Sequence, residues 1–235
     1  PIPSLPPLRS FALTHILYDP SHPLSIPFTL LTLTPIFIFV SYLTLLIFTR
    51  RISVLLLGLG QIGNEFLNLV LKRIWRSERP YKGLGEVGHG YGMPSSHSQA
   101  AGFTFAWAIG YALTSGVRYD RETSLGKVRR RVYIAGCGLW SILVAYSRWH
   151  LHYHTPEQVV VGYGAGMIAG GLYFLITELI PLYHPRSLPA RLRGFVEHLW
   201  TGIGGLGGYV LGGAEGGWGE GWMLENQIVP KDEDK

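Results

Sequence analysis

The chain holds 235 residues in 26.1 kDa, room for one domain or two small ones. Only 15% of them are charged, where about 25% is usual, while 47% are hydrophobic and the mean hydropathy is +0.21. That profile excludes a disordered chain and departs from an ordinary soluble globule, and the single cysteine, Cys137, excludes an intramolecular disulfide framework and a cysteine-rich metal site. With 15 Pro and 31 Gly also present, the apolar residues must be gathered into segments, the pattern of a membrane protein. The net charge of +5 sits beside those segments, and no nucleic-acid partner is expected.

Residues 1–26 are Pro-rich, show no cleavable signal pattern and are expected outside the membrane. Residues 27–48 (PFTLLTLTPIFIFVSYLTLLIF) carry no charge, and a helix of that length crosses a hydrocarbon core of about 30 Å even with Pro35 inside it. A second span is expected over 52–71, interrupted only by Gln61, Asn64, Glu65 and Asn68, and a third over 98–116. The fourth, 132–146, is short, so its ends must run on into the interface; the fifth covers 158–180. Five such runs with polar, basic connectors argue against core helices of a soluble protein. The expected architecture is all-α, a polytopic membrane helical bundle of about five transmembrane helices, with its functional domain at 27–182. The Gly-rich C-terminal region, 183–235, is placed in the cytoplasm or at the interface. Eleven glycines from Gly202 to Gly221 disfavour a stable helix there. A sixth span over 195–223 and a low-complexity tail touching the interface through Trp200, Trp218 and Trp222 both fit.

Charge sets orientation. Arg50 and Arg51, the connector with Arg118, Arg121, Lys127, Arg129, Arg130 and Arg131, and the run Arg186, Arg191 and Arg193 read as cytoplasmic. Five spans then put the N-terminus and the connectors 72–97 and 147–157 on the opposite face. The first of these connectors is itself basic (Lys72, Arg73, Arg76, Arg79, Lys82), against the usual rule, so something other than topology must hold cations there.

The polar residues without a structural excuse fall in those two far-side connectors. In the first, Lys72 is followed by Arg79-Pro80 and, past a glycine-rich stretch containing His89, by Met93-Pro94-Ser95-Ser96-His97 at the mouth of the third span. In the second, Ser147-Arg148 precedes His150, His152 and His154, and Thr155-Pro156-Glu157-Gln158 opens the fifth. Cations, hydroxyls and histidines at one membrane surface, without a Cys or carboxylate cluster to hold a metal, describe a site for an anion that is to be transferred.

Lys72-x6-Arg79-Pro80, Pro94-Ser95-Ser96-His97 and Ser147-Arg148-x5-His154 resemble, in order and internal spacing, the three signature motifs of the type 2 phosphatidic acid phosphatase superfamily. Over roughly residues 15–180 the surrounding text (LNLVLKR, GYGMPSSHSQ, SRWHLHYHTPEQVVVG) is similar to the eukaryotic branch that acts on dolichyl diphosphate. The resemblance implies a helical bundle of the haloperoxidase type and a metal-independent phosphatase with no cofactor. It also implies dolichyl diphosphate as lipid substrate and an active site facing the lumen of the endoplasmic reticulum, where the carrier lipid of protein N-glycosylation is recycled. It says nothing of oligomeric state. The rivals are a broader phosphatase for phosphatidate, sphingoid phosphate or undecaprenyl diphosphate, and a non-catalytic lipid-diphosphate binder.

Residue types and resemblance together assign roles. His154 is the expected nucleophile, forming a phosphohistidine that water then hydrolyses, and His97 the general acid and base. Lys72, Arg79 and Arg148 would clamp phosphate oxygens, with Ser95 and Ser96 adding donors. The chain departs from the superfamily pattern at Ser96, where Gly is usual, and at Gln158, where Asp is usual. Gln158 would orient His154 by accepting its ring N–H, or it would serve only as the capping partner of Thr155. Ser96-x-x-Gln99 is expected to cap the third span, aiming that helix's positive end at the anion. Gln61, Glu65, Asn68 and Lys72 would form one stripe on the second span, with Glu65 facing inward to support Lys72 or another cation, or making an interhelical hydrogen bond. Gly162, Gly166 and Gly170 read as a small-residue packing face. Arg73 and Arg76 read as snorkelling cations, and His150 and His152 as interfacial or substrate-contacting residues, not a metal site.

Overall fold

Helices form over all five apolar segments of the computed structural model, which describes residues 8–11, 16–80, 90–114 and 124–202. In chain order they are α1 (Ser25–Leu31), α2 (Thr34–Thr49), α3 (Ile52–Trp75), α4 (Ser96–Thr114), α5 (Ser124–His150), α6 (Pro156–Phe174), α7 (Ile180–Tyr183) and α8 (Leu188–Gly202). A π-helical turn, Leu175–Leu179, joins α6 to α7. A two-residue antiparallel ladder, Arg9–Ser10 against Leu17–Tyr18, is added to the all-α architecture. Lys82, His89, Arg118, Arg121, Trp218, Trp222 and all the tail glycines beyond Gly202 lie outside the described residues.

The first apolar segment is not the continuous helix that its composition suggests. It breaks between Leu31 and Thr34 with a 43° bend. Pro35 lies in the first turn of α2, where it has no N–H to offer the carbonyl of Leu31 and its ring crowds the preceding turn, so the helix restarts instead of continuing. On length and composition, Ile52–Trp75 and Pro156–Tyr183 are each sufficient to cross a membrane, and the bent pair α1–α2 makes a third. α5 runs for 27 residues, well past the 132–146 core on both sides. Large apolar side chains remain exposed along α2 to α6, among them Ile36, Phe37, Phe66, Val132, Leu139, Val160 and Ile168, as expected where lipid is the solvent.

The tightest packing joins α4 to α6, which run parallel. A Cβ on Gly162 would lie 2.7 Å from the Ser95 carbonyl, and one on Gly166 or Gly170 would run into the carbonyls of Gln99 and Phe103. This stripe lets two backbones touch, and it fixes the start of α6 against the start of α4. α3 is held to α4 by polar side chains instead: Gln99 Nε2 donates to Asn64 Oδ1 (2.9 Å), Asn68 Nδ2 to Gln99 Oε1 (2.8 Å), and Thr104 Oγ1 to Gln61 Oε1 (3.3 Å). The buried face of α3 is therefore Gln61, Asn64 and Asn68, and Glu65 stands half-buried beside it, not on it. It lies within electrostatic reach of Lys72, from a position off the expected stripe.

Candidate active site

Four chain ends meet at one pole of the bundle. α3 stops where Arg76 takes a left-handed conformation (φ 46°), its N–H closing on the Lys72 carbonyl, and the chain turns into Ser77–Glu78–Arg79. Residues 90–95 lead into α4. α5 ends at His150, and His152 (φ 61°) folds the chain back so that the amides of both Tyr153 and His154 donate to the Arg148 carbonyl, each at 3.2 Å. The five residues between Arg148 and His154 are thus a hook that sets the second histidine beneath the arginine.

His154 is 3% exposed. Its Nδ1 lies 2.9 Å from the Gly92 carbonyl and 3.2 Å from Gln158 Oε1. Both partners can only accept, so Nδ1 carries the proton and Nε2 keeps its lone pair. Burial first, then the positive charges of Arg148 and Arg79, push the ring's pKa down to about 2, and it is neutral at any working pH. His97 is the second residue of α4, and its Nε2 lies 3.0 Å from the Thr32 carbonyl in the α1–α2 break. That bond uses Nε2–H as donor and leaves Nδ1 as the titrating position. The broken first segment therefore has a structural consequence at the site, since it presents a backbone acceptor to His97.

Arg148 is 2% exposed and stacks over the Tyr153 ring at 4.6 Å. Nε and Nη1 of Arg148 and of Arg79 find no hydrogen-bond partner among the described residues. Buried guanidinium nitrogens are normally satisfied, and four unsatisfied ones on arginines within electrostatic reach of His154 have the chemistry to receive anionic oxygens. Lys72, in the last turn of α3, lies within electrostatic reach of Arg79, Glu65 and Arg148. Ser95 is fully buried, its amide donating to the Gln158 carbonyl (3.1 Å) and its hydroxyl accepting from Ser98 Oγ (3.1 Å). The expected cap at Ser96-x-x-Gln99 is not formed. α4 begins at Ser96 itself, the Gln99 amide donates to the Ser95 carbonyl, and the Gln99 side chain is spent on Asn64 and Asn68. Ser96, half-buried, keeps its place at the helix start beside His97.

Gln158 makes both contacts considered for it. Thr155 Oγ1 accepts from its amide and its Oε1 accepts from the Thr155 N–H, a complete capping box, while the same Oε1 faces His154. Gly92, Asn64 and Thr32 were not legible as site residues, two of them because they act through backbone carbonyls. Asn68 reaches the site indirectly, donating to the Pro94 carbonyl (3.3 Å). Arg73 and Arg76 are exposed. His150 and His152 line a separate cavity of about 310 Å³ with Tyr18, His22, Tyr146 and Trp149, His150 packing on His22 at 4.5 Å between ring centres. Among the described residues no three His, Cys, Asp or Glu side chains are grouped to hold a metal ion.

Two histidines and a set of unsatisfied cations at one pole of a helical membrane bundle are the groups that phosphoryl transfer requires, and the chain is a phosphatase. The chain belongs to the PAP2 superfamily, whose family model matches residues 52–180. It is 35% identical over 172 residues to a dolichyldiphosphatase of Saccharomyces cerevisiae, covering 71% of this chain and 70% of that one. It is 33% identical over 178 residues to dolichyldiphosphatase 1 of Homo sapiens and 34% to that of Mus musculus, covering 74% of this chain and 75% of each. No solved structure matches it.

Proposed function

We propose that this enzyme removes the terminal phosphate of dolichyl diphosphate, leaving dolichyl phosphate. The observation that carries the reading is His154, held neutral with Nδ1–H committed to Gly92 and Gln158 and Nε2 left open among unpartnered arginine nitrogens. Its relatives' shared name supplies the substrate class.

In the first step the Nε2 lone pair attacks the terminal phosphorus. The N–P bond forms as the bridging P–O bond breaks, and His97, protonated once the bound diphosphate offsets the charges of Arg148, Lys72 and Arg79, gives its Nδ1 proton to the departing dolichyl phosphate oxygen. In the second, water attacks the phosphohistidine, His97 takes the water's proton, and the N–P bond breaks to release inorganic phosphate. Lys72, Arg79 and Arg148 stabilise the extra charge on the non-bridging oxygens, and Ser95, Ser96 and the N-terminus of α4 add donors. Gln158 orients His154, and Glu65 and Asn68 support the cations and the Pro94 turn. No step calls for a metal or cofactor.

In this reading α1–α2, α3, α4, α5 and α6–α7 each cross the membrane of the endoplasmic reticulum, and this pole faces the lumen. The basic segments at Arg50–Arg51 and Lys127–Arg131, and the C-terminal region from 183, then lie on the cytoplasmic side. There the activity would regenerate the carrier lipid used in protein N-glycosylation. The test is phosphate release by purified enzyme in detergent. Dolichyl diphosphate should be turned over in preference to phosphatidate, and His154→Asn should lose at least about 10³-fold in rate while still binding substrate. Equal or better turnover of phosphatidate would sink the substrate assignment, and unchanged release by the variant would sink the mechanism.

A further inference from the structure

We propose that Gln158 is a positioning residue for Arg79 as well as for His154, and that an amide stands there because the position must both accept and donate. The proposal rests on the reading of His154 as nucleophile and Arg79 as phosphate clamp.

Every polar atom of the Gln158 side chain has a fixed task. Oε1 faces two donors, His154 Nδ1–H at 3.2 Å and the Thr155 N–H at 3.3 Å. Nε2 faces two acceptors, the Glu78 carbonyl at 2.8 Å and Ser77 Oγ at 3.2 Å. Rotating the amide by half a turn would set its NH2 against the Thr155 N–H and its oxygen against the Glu78 carbonyl, so the neighbours determine its orientation. At 2% exposure, water cannot replace either pair of bonds.

Ser77 and Glu78 are the two residues before Arg79. They are tied from a second direction by Gly92, whose N–H donates to the Ser77 carbonyl at 2.7 Å while its own carbonyl accepts from His154. Gly92 and Gln158 are pressed together where these links cross. A Cβ on Gly92 would stand 2.6 Å from Gln158 Nε2 and 2.7 Å from Oε1. The segment carrying Arg79, the turn entering α4 and the loop carrying His154 thus form one hydrogen-bonded bracket with Gln158 at its centre. A carboxylate at 158 would still accept from His154, but it would turn an oxygen onto the Glu78 carbonyl and release the arginine's segment. Gln158 thereby accounts for how Arg79, which follows α3 by a turn and has no partner at Nε or Nη1 among the described residues, is held ready for an anion.

The experiment is a double-mutant cycle on binding of inorganic phosphate to the full-length enzyme in detergent, read by calorimetry, with thermal unfolding as a check on folding. Gln158→Met keeps the length and removes all four bonds. It should weaken phosphate binding about tenfold, and by as much in a His154→Asn background, where no nucleophile is left to orient. In an Arg79→Ala background the same change should weaken it less than twofold. Weakening below twofold in the His154→Asn background, or equal weakening with and without Arg79, would overturn the proposal. If Gln158→Met does not fold, Ser77→Ala removes one tie without touching α6. A two- to threefold loss that requires Arg79 supports the bracket, and no loss, or one independent of Arg79, refutes it. Should His154→Asn still release phosphate, the catalytic reading fails while the binding cycle still decides this one.

Discussion

The two poles of the bundle treat the same side chain in opposite ways. At the motif pole Arg148 is buried with Nε and Nη1 unsatisfied, and Arg79 likewise. At the other pole Arg193, on α8, meets the buried carboxylate of Glu178 at 3.3 Å and donates to Ser53 Oγ at 3.3 Å, while Trp200 Nε1 donates to the Arg50 carbonyl at 2.9 Å. These contacts fasten α8 across the start of α3 and the π-helical turn at 175–179, with Leu188, Leu192, Phe195 and Leu199 left exposed on one side as in a helix lying in the membrane surface. One pole has paired its arginine with a carboxylate of the chain, although Arg193 Nε and Glu178 Oε1 find no hydrogen-bond partner among the described residues. The other has not, and a chain that buries cations without anions is destabilised until an anion arrives. The difference separates the part of the molecule that works from the part that holds.

That contrast is broken most directly by exchanging each arginine for an apolar side chain of similar length. Arg148→Met should cost about 10² to 10³ in phosphate release, the scale for losing a transition-state donor, while leaving the melting temperature unchanged or raised. Arg193→Met should do the reverse: activity within about twofold, and stability lowered by about 2 kcal/mol because Glu178 is left buried without its partner. Adding Glu178→Gln should restore most of that loss. Rates and thermal unfolding on the same preparations check all three, and a destabilised Arg148→Met would erase the distinction. A smaller effect is expected midway between the poles. Gln99→Leu strands Asn64 and Asn68 and frees the Pro94 turn that Asn68 holds, so it should cost about 2 kcal/mol of stability and lower activity by a factor about tenfold smaller than Arg148→Met does.

Local pattern made the working pole legible. Arg79-Pro80, the Ser-Ser-His run and the Arg-to-His spacing are contiguous in sequence, and each sits at the end of an apolar run whose length is itself readable. Backbone atoms carry no such signal. Nothing in the text marks the Gly92 carbonyl as the acceptor for His154, or the Thr32 carbonyl as the one for His97. Whether Pro35 bends a span or breaks it depended on what the freed backbone could meet, and that partner lies 65 residues away. The stripe through Glu65 satisfies the helical period as well as the one through Asn64, and tertiary pairing with Gln99 decides between them. The holding pole was obscured for another reason. α8 is short, amphipathic and followed by glycine-rich sequence, so composition does not separate it from the tail.

The smallest expected effect concerns protons. Unfolded, His154 titrates near its ordinary pKa of about 6.5; folded, burial and the two arginines hold it down to about 2. Below the unfolded value the unfolded chain binds a proton that the folded chain refuses, so this residue's contribution to stability is complete above about pH 6.5 and is lost as the pH falls. Once the unfolded ring is fully protonated, the loss approaches about 1.4 kcal/mol per pH unit. Unfolding of wild type and His154→Asn in detergent between pH 7.5 and 5 should therefore show the wild type losing stability more steeply, by up to one proton's worth of slope. Arg193→Met should keep the wild-type slope, because the cations that hold down His154 all belong to the working pole. A parallel pair of curves for wild type and His154→Asn would mean that the ring titrates normally when folded, and that the motif pole is not the cation-rich, anion-demanding end the comparison makes it.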